Sequence, residues 1–559
     1  MMNKIFGIDL GTTYSCIAYV DEFGKAVTIR NADGDMTTPS VVYFEDNEKQ
    51  IVGTEAKTSM IMEPLNTVAF IKREMGTDFR REIHGVQYSP QEISSKIRKK
   101  VVGDANAALR EQGVLGQDES ITKAVITCPA YFGMAEKEAT RNAGVIAGLD
   151  VLDIINEPTA AAINYGVINA GQNKTVMVYD LGGGTFDVTV MTIAGNAINV
   201  VCTGGDPQLG GKDWDNALKD WLVEKWKEEN NTDEDISEDL ETLSSLMENA
   251  EKAKKTLTSK DRAKIIVNHE GERMKLEISR DEYDSLTKRL LDRTIELTDS
   301  CVKDAEKKGI HLSDIDEILL VGGSSRMPQV MKKVEEVYGK PTHLFDPDEA
   351  VAKGAALYAQ NLNGYQIMID AIARKTGKSE EQIKKETDNG TDLQALARKA
   401  GLSLEAVNHL SVGKLEISNV SSRTYGIRML DRDKKQVISN FIMQNDDLPR
   451  TVTQTAYPHE DNSDAISLAV YESISDKELL YDLELATEIT SFELKTDKPM
   501  SRNTRIVINM TFDNTGLLTI DAEEMDHNTK LHATFQVKNS LNAGEMRMAL
   551  ERSERSKVE

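Results

Sequence analysis

Phe6-Gly7-Ile8-Asp9-Leu10-Gly11-Thr12-Thr13-Tyr14-Ser15 and Val178-Tyr179-Asp180-Leu181-Gly182-Gly183-Gly184-Thr185-Phe186-Asp187 decide how this chain folds. Each is an apolar β-type run that ends in Asp-Leu-Gly, turns through glycine and threonine, and enters a second β-type run. Glycine lets the backbone approach an anion closely, and amide N–H groups and hydroxyls can then cradle phosphate oxygens. The carboxylates at the two strand ends, Asp9 and Asp180, suit Mg2+, a hard cation that takes oxygen ligands and keeps waters. Two such turns facing each other would grip a nucleotide tail from both sides.

The 559 residues give room for several domains and a large core. A formal charge of −25 argues against nucleic acid or an anionic membrane as partner, since both need clustered Lys and Arg. Cys16, Cys128, Cys202 and Cys301 are scattered without metal-ligand spacing. They read as free thiols in a reducing, cytoplasmic compartment. Asp9 interrupts the only apolar run near the start, so no signal segment is expected, and no run reaches membrane-spanning length.

Outward from the two hairpins, residues 1–361 alternate β-type runs with long helical patterns, which predicts an α/β unit. Strands are expected at Lys4–Ile8, Ile17–Val20, Ala124–Thr127, Thr175–Tyr179, Val188–Thr192 and Glu317–Val321. Helices are expected at Ala135–Ala147, Leu240–Thr256 and Asp281–Lys307. Residues 362–413 form a helical insert with an internal repeat, in which Ala371–Ile383 matches Ala395–Val407. Each copy reads as a helix stopped by Gly377 or Gly401 and restarted at Ser379 or Ser403, with Ser379 and Gln382 at capping-box spacing. A DNA-binding helix–turn–helix has similar spacing at Ala397, Gly401 and Val407, but the acidity of the chain favours a packing or protein-contact role. Residues 414–427 read as a linker and 428–538 as an antiparallel β-sandwich. Its short runs are Lys435–Ile442, Ala465–Tyr471, Leu479–Leu485, Arg505–Phe512, Leu517–Glu523 and Leu531–Val537, with a hairpin turn at Asp513-Asn514-Thr515-Gly516. Residues 539–559 read as a short charged helical tail.

Several motifs then agree with one another: Phe70-Ile-Lys-Arg73, Cys128-Pro-Ala-Tyr-Phe132, Asn156-Glu-Pro-Thr-Ala-Ala-Ala162, Leu209-Gly-Gly211, Val321-Gly-Gly-Ser-Ser-Arg-Met-Pro328 and Asp346-Pro-Asp-Glu-Ala-Val351. With the two hairpins they resemble the seventy-kilodalton heat-shock chaperones of the DnaK type. That resemblance implies a duplicated, actin-like (ribonuclease H-like), two-lobed ATPase domain of α/β class, followed by a peptide-binding sandwich. It also implies ATP or ADP with Mg2+, K+ as a further ion, and extended or unfolded polypeptide as partner. J-domain proteins and nucleotide-exchange factors are implied as regulators.

The family's site residues carry over motif by motif. Asp9 and Asp180 would hold hydrated Mg2+, and Lys72 would reach the transferred phosphate. Glu157 and Asp187 would orient or deprotonate the attacking water. Gly11, Thr12, Thr13, Tyr14, Gly182, Gly183, Gly184 and Thr185 would contact phosphate, Thr185 with a catalytic role, and Gly210 and Gly211 would support them. Gly322, Gly323, Ser324, Arg326 and Asp348 would receive the nucleoside, together with Glu251, Lys254, Lys255 and Thr258. Ile438, Ile466 and Leu468 would line the peptide pocket.

This chain also departs from the family. Glu416 and Ser418 break the usual apolar linker run, Asp153 reverses a charge near it, and Lys137 stands for a relay arginine although Pro129 is kept. Residues 539–559 are all that corresponds to the long helical lid. These departures keep a second class open, a nucleotide-dependent regulatory or scaffold protein with one dedicated partner. A sugar kinase or filament protein on the same fold is disfavoured by the adjoining sandwich. Lys212 replaces the family's usual Glu, and Lys255 stands where an arginine usually meets the adenine face. A point-charge ammonium stacks worse there by about 1 kcal/mol. Nucleotide affinity should therefore lie below the family norm, and calorimetric titration measures it; a family-typical value would contradict the assignment.

Overall fold

The computed structural model describes residues 4–168, 172–388, 391–402, 415–513, 517–534 and 541–559. Both quoted hairpins form. Phe6–Leu10 pairs antiparallel with Tyr14–Val20, and Lys123–Cys128 and Asp150–Asn156 add in parallel beside Phe6–Leu10. Ala26–Thr28 closes the other side. Lys174–Leu181 pairs in the same way with Phe186–Ala194, flanked by parallel Glu317–Val321 and Thr342–Leu344 on one side and antiparallel Ala197–Asp206 on the other. The two sheets therefore share order and direction through five strands. Their central strands are largely apolar between their ends, because both faces are covered; Ile8, Val178 and Val188 are fully buried. The first strand starts at Phe6 rather than Lys4, a shift of the size usual at element ends.

Helix Ala350–Thr376 packs against Phe6–Leu10 and helix Glu157–Ile168, joining the two halves. It runs unbroken through residue 362, where the sequence suggested a boundary. Its far end buries Met368, Ile369 and Ile372 against Ile383 and Ala397 of helices Glu380–Asp388 and Leu393–Lys399. Gly377, at φ 71°, ends the long helix. Ser379 and Gln382 exchange the expected capping hydrogen bonds, at 3.0 and 3.2 Å. Ser403 and Val407 of the second repeat copy lie outside the described residues.

The linker lies along the second sheet. Glu416–Ser418 adds in parallel to Ala197–Asn199. Leu415 and Ile417 pack onto the core of that lobe, while Glu416 and Ser418 face solvent. The polar residues that interrupt the apolar run thus occupy the outward positions of a period-two strand. Asp153 also finds partners: Tyr358 OH donates to it at 2.8 Å, and Arg141 lies 3.9 Å away.

The sandwich begins at Thr424, within the span read as linker. One sheet runs Leu479–Leu480, Gln436–Ile442, Thr424–Leu430, Ser463–Ser473, Ala486–Met500; the other runs Arg450–Ala456, Ile506–Phe512, Leu518–Glu524, Thr529–Thr534. Only Leu479–Leu480 of the expected strand Leu479–Leu485 forms. Asp482 accepts the Glu484 N–H, which turns Leu483–Leu485 into a single 3-10 turn. Asn514, Thr515 and Gly516, and residues 535–537 of the last expected strand, lie outside the described residues.

The tail forms a short charged helix within 539–559, as expected. Helix Ala543–Arg555 packs on helices Pro90–Glu111 and Met134–Ile146 of the first lobe, burying Leu541 and Ala549 with Ile146. Ser553 Oγ donates to the Ile146 carbonyl at 2.7 Å, Lys96 Nζ to Ser556 Oγ at 2.6 Å, and Arg552 pairs with Glu92. Lys557–Val558 then extends the Lys49–Val52 strand in parallel. The segment read as a lid remnant is bound to the N-terminal lobe, because its small residues face an apolar seam there.

The sandwich itself rests on both lobes. Ser422 Oγ donates to the Phe132 carbonyl at 2.9 Å. Asn445 accepts the Thr203 N–H at 2.9 Å and donates to Asp304 at 3.1 Å. Beside Ser422, Glu472 of the sandwich and Glu136 of the lobe share one cation, Arg423, at 3.9 and 3.7 Å. Burial, then Glu136, raises the Glu472 carboxyl to about 7 against the pull of Arg423. An acid whose pKa is raised by docking holds a proton in the docked state that the free state has released, so docking weakens as pH rises between the ordinary carboxylate range and 7. Hydrogen-exchange protection of the Thr203 amide should fall from pH 5.5 to 8 in the wild type and stay flat in Glu472→Gln; a flat wild-type profile would refute this.

Candidate functional site

A cavity of about 490 Å³ opens between the two hairpin turns. The first lobe lines it with Asp9, Gly11, Thr12, Thr13 and Tyr14, with Lys72 on the short helix Ile71–Glu74, and with Glu157 at the start of its helix. The second lobe contributes Asp180, Gly182, Gly183 and Thr185. Glu251, Lys254, Lys255 and Thr258 come from helix Leu240–Ser259. Gly322, Gly323, Ser324, Arg326 and Asp348 complete the wall, with Arg326 paired to Asp348. Gly184, Gly210, Gly211 and Asp187 support the wall without lining it. Gly211 donates to the Gly182 carbonyl at 3.0 Å and Lys212 to that of Gly183 at 2.8 Å, steadying the second turn.

The glycines of the second turn answer to distance rather than to dihedral angle. A Cβ on Gly183 would stand 1.8 Å from Thr13 Oγ1, and one on Gly184 2.2 Å from Thr12 Cγ2. The turns therefore touch across the cleft. Arg73 spans the same gap, donating from Nε to the Gly184 carbonyl at 2.8 Å and pairing with Asp213 at 2.6 Å. Thr13 Oγ1 is buried without a hydrogen-bond partner, a donor left free for an incoming anion.

The charges at the cavity floor are unbalanced. Glu157 and Asp180 are buried and Asp9 is half-buried near Lys72, whose Nζ lies 2.6 Å from Glu157. Burial lifts Glu157 to about 7, with Lys72 opposing. Burial, Glu157 and Asp9 lift Asp180 to about 8. Asp187 is held well above the carboxylate range by burial and then Glu157, and its Oδ1 accepts the Ala130 and Tyr131 N–H groups at 3.1 and 3.4 Å. Burial opposes the charge on Lys72, yet Glu157 and Asp9 outweigh it and hold the ammonium above its usual range. Such a surplus of buried carboxyl groups fits a divalent cation. Among the described residues no three His, Cys, Asp or Glu side chains converge to ligate a metal directly. The set therefore suits an ion that keeps its own waters, as Mg2+ does.

At the mouth, Lys255 pairs with Glu251 at 2.8 Å and lies over the Tyr14 ring at 4.9 Å. Lys57 reaches the same carboxylate from the other lobe at 2.5 Å. Burial would raise Glu251, but Lys57 and Lys255 bring it down to about 2. Lys254 is tied to Asp215 at 2.7 Å. Sequence reasoning missed Lys57, Phe70, Arg73 and Asp215. Arg73 adjoins Lys72 in a quoted motif, and Asp215 falls one helical turn beyond Gly211, so spacing could have found both. Lys212 stacks on Phe70 at 4.4 Å. Nothing local in the sequence announces Lys57.

The three peptide-pocket residues are not brought together. Ile438 is buried with Ala469, Tyr471 and Leu480 on one face of its sheet. Leu468, with Ile466 packed beside it, points into the core between the sheets. Alternation along Ser463–Ser473 sends Ala469 and Leu468 to opposite faces, and Ile438 follows Ala469.

A cleft between two matched sheets, floored by carboxylates and bounded by paired glycine turns, defines a two-lobed protein with one interlobe cavity at its centre. The sequence pattern described as Hsp70 protein matches residues 5–85, 80–373 and 381–559. The chain belongs to the Hsp70 family. It is 45% identical over 368 residues to the chaperone protein DnaK of Thermotoga petrophila and, equally, to that of Thermotoga maritima, covering 64% of this chain and 60% of each relative. It is 44% identical over 374 residues to that of Thermosipho africanus, covering 65% of this chain and 60% of the relative. The match thus spans less than two thirds of the length of these relatives. Gly183→Ala should drive the turns apart and abolish nucleotide binding while leaving the thermal unfolding midpoint within a few degrees; calorimetry and melting check both, and retained binding would refute the contact argument.

Proposed function

We propose that this chain is an ATP-dependent chaperone of the cytoplasm that hydrolyses ATP slowly between its lobes and binds extended polypeptide through its sandwich. The observation that carries the reading is the convergence on one cavity of both phosphate turns, Lys72, Glu157 and the Asp9–Asp180 pair. The relatives' printed name, chaperone protein DnaK, supports it. The shared order of the two sheets supports a duplicated, actin-like ATPase unit over 1–361, extended by the helix into the insert. In this scheme 414–427 is the linker, 428–538 with the preceding strand is the sandwich, and 539–559 is a tail that returns to the first lobe.

Phosphoryl transfer to water needs positioning and charge neutralisation more than covalent chemistry. Asp9 and Asp180 would hold hydrated Mg2+, which when bound neutralises phosphate charge between the turns. Thr12, Thr13 and Thr185 donate to phosphate oxygens from both sides. Lys72 faces the transferred group, and Glu157, raised toward neutrality, orients and accepts from the attacking water. Asp187 keeps one oxygen on the Ala130 and Tyr131 amides and leaves the other for the same water. Glu251, with Lys254 and Lys255, meets the ribose, and Gly322 to Arg326 meet the base. K+ would sit beside the phosphates.

On the sandwich side, Leu480 and Leu483 cover Ile438. Peptide entry at Ile438 therefore requires the Leu479–Leu485 segment to move. J-domain proteins and exchange factors are the regulators this scheme expects. Removing one preorganised charge typically costs at least about a hundredfold in turnover. Lys72→Ala should lose at least that in single-turnover hydrolysis while ADP affinity stays within a few-fold. Excess extended peptide should raise the wild-type rate. Absence of stimulation by any peptide would remove the chaperone reading, and unaltered hydrolysis in Lys72→Ala would remove the assigned site.

A further inference from the structure

Cys202 and Cys301 approach each other from two elements far apart in sequence. Cys202 lies on strand Ala197–Asp206 and Cys301 on helix Arg280–Lys307. Their Sγ atoms are 3.0 Å apart, and the Cys202 thiol also meets the Cys301 carbonyl at 3.0 Å. Both side chains are buried, at 0% and 2% exposure. The strand pairing slips at Val201, so a bulge stands next to Cys202. Bulges re-aim neighbouring side chains, and this one leaves Cys202 against the helix. Cys16 and Cys128 belong to separate clusters in the first lobe.

The surroundings give the pair a consequence. Thr203, the next residue, donates its N–H to Asn445 of the sandwich, and Asp304, three residues beyond Cys301, accepts from the same side chain. The strand and helix that carry the two thiols are therefore the two walls of the seat for Asn445.

We propose that Cys202 and Cys301 form a dithiol–disulfide site, which a hydroperoxide closes into a covalent tie between this strand and helix beneath the Asn445 seat. One sulfur attacks the terminal peroxide oxygen. The O–O bond breaks, a sulfenic acid forms, and water (or the alcohol) leaves with the thiol proton. The second sulfur attacks the sulfenic sulfur. The S–S bond forms, the S–O bond breaks, and the hydroxide leaves as water with the second proton. Two thiols are oxidised and one hydroperoxide is reduced to water and its alcohol, or to two waters from hydrogen peroxide. A disulfide needs about 2.05 Å between sulfurs, so closure requires roughly an ångström of approach. The hydrogen bond with Cys202 and then burial hold the Cys301 thiol well above its usual range. The reaction is consequently slow, and brief or weak oxidant leaves the pair reduced.

The test uses the full chain, reduced, freed of reductant and treated with hydrogen peroxide at pH 8. Alkylation in denaturant, proteolysis and mass spectrometry then report each cysteine. Two of the four free thiols should be lost, with one linked peptide containing Cys202 and Cys301 and with Cys16 and Cys128 alkylated. Dithiothreitol should restore all four. Recovery of Cys202 and Cys301 as separate alkylated or sulfonic products, or linkage of either to Cys16 or Cys128 at equal yield, would overturn the proposal. Cys202→Ala and Cys301→Ala should each give no linked peptide, so either variant serves if the other does not fold. Closing a loop of this length restrains the unfolded chain. The urea midpoint of the second lobe should rise on oxidation in the wild type and not in the variants, and Thr203 amide exchange should slow. An unchanged midpoint together with unchanged exchange would overturn the proposed tie at the Asn445 seat.

Discussion

Gly183 and Gly184 stand so close to Thr12 and Thr13 that no side chain fits between the two turns. That distance sets the width of the cleft, and the other cross-cleft contacts depend on it. Arg73 reaches the Gly184 carbonyl and Lys57 reaches Glu251 only because the lobes meet at this point. The two matched sheets supply rigid strand ends on which the turns sit. Helix Ala350–Thr376 fixes the halves from behind. A wider cleft would leave the carboxylates where they are but remove the donors that face them.

The floor of that cleft is electrostatically incomplete. Two buried carboxyl groups and the half-buried Asp9 share one ammonium, which is a costly arrangement in a folded protein unless something positive arrives. The same carboxylate field extends outward through backbone. Asp187 holds the amides of Ala130 and Tyr131, and the next residues, Phe132 and Gly133, meet Ser422 and Glu472 of the sandwich. A single short segment thus has the carboxylate floor of the cleft on one side and the sandwich on the other. Its displacement in either direction changes both contacts.

Much of this was legible in the sequence, for identifiable reasons. The hairpins lie in local patterns whose spacing implies a close-packed turn, while Lys72, Glu157 and the Gly322–Arg326 turn lie in motifs that resemble those of the family. The helix stop at Gly377 and the capping pair Ser379–Gln382 are likewise local. Tertiary choices were not legible. The fifteen-residue strand Ala486–Met500 mixes Glu, Lys, Asp and Thr because one edge and one face are open, so its alternation is weak. Leu479–Leu485 looked like a strand until Asp482 captured a backbone amide. Glu416 and Ser418 looked like damage to a linker but occupy outward strand positions. Ile438 and Leu468 share a strand-like apolar signature, and sequence cannot say that they face opposite ways.

The tail strand has a consequence for how the molecule is made. Lys557–Val558 completes the edge of a sheet whose other strands lie near the start of the chain, and Arg552 meets Glu92 across 460 residues. During synthesis at roughly 5–20 residues per second, the first lobe must wait about 25 to 100 seconds with the Lys49–Val52 edge unpaired. An open strand edge is a template for mispairing with any neighbouring nascent chain. The Lys49–Val52 edge therefore carries that hazard until the last residues of the tail strand have been made.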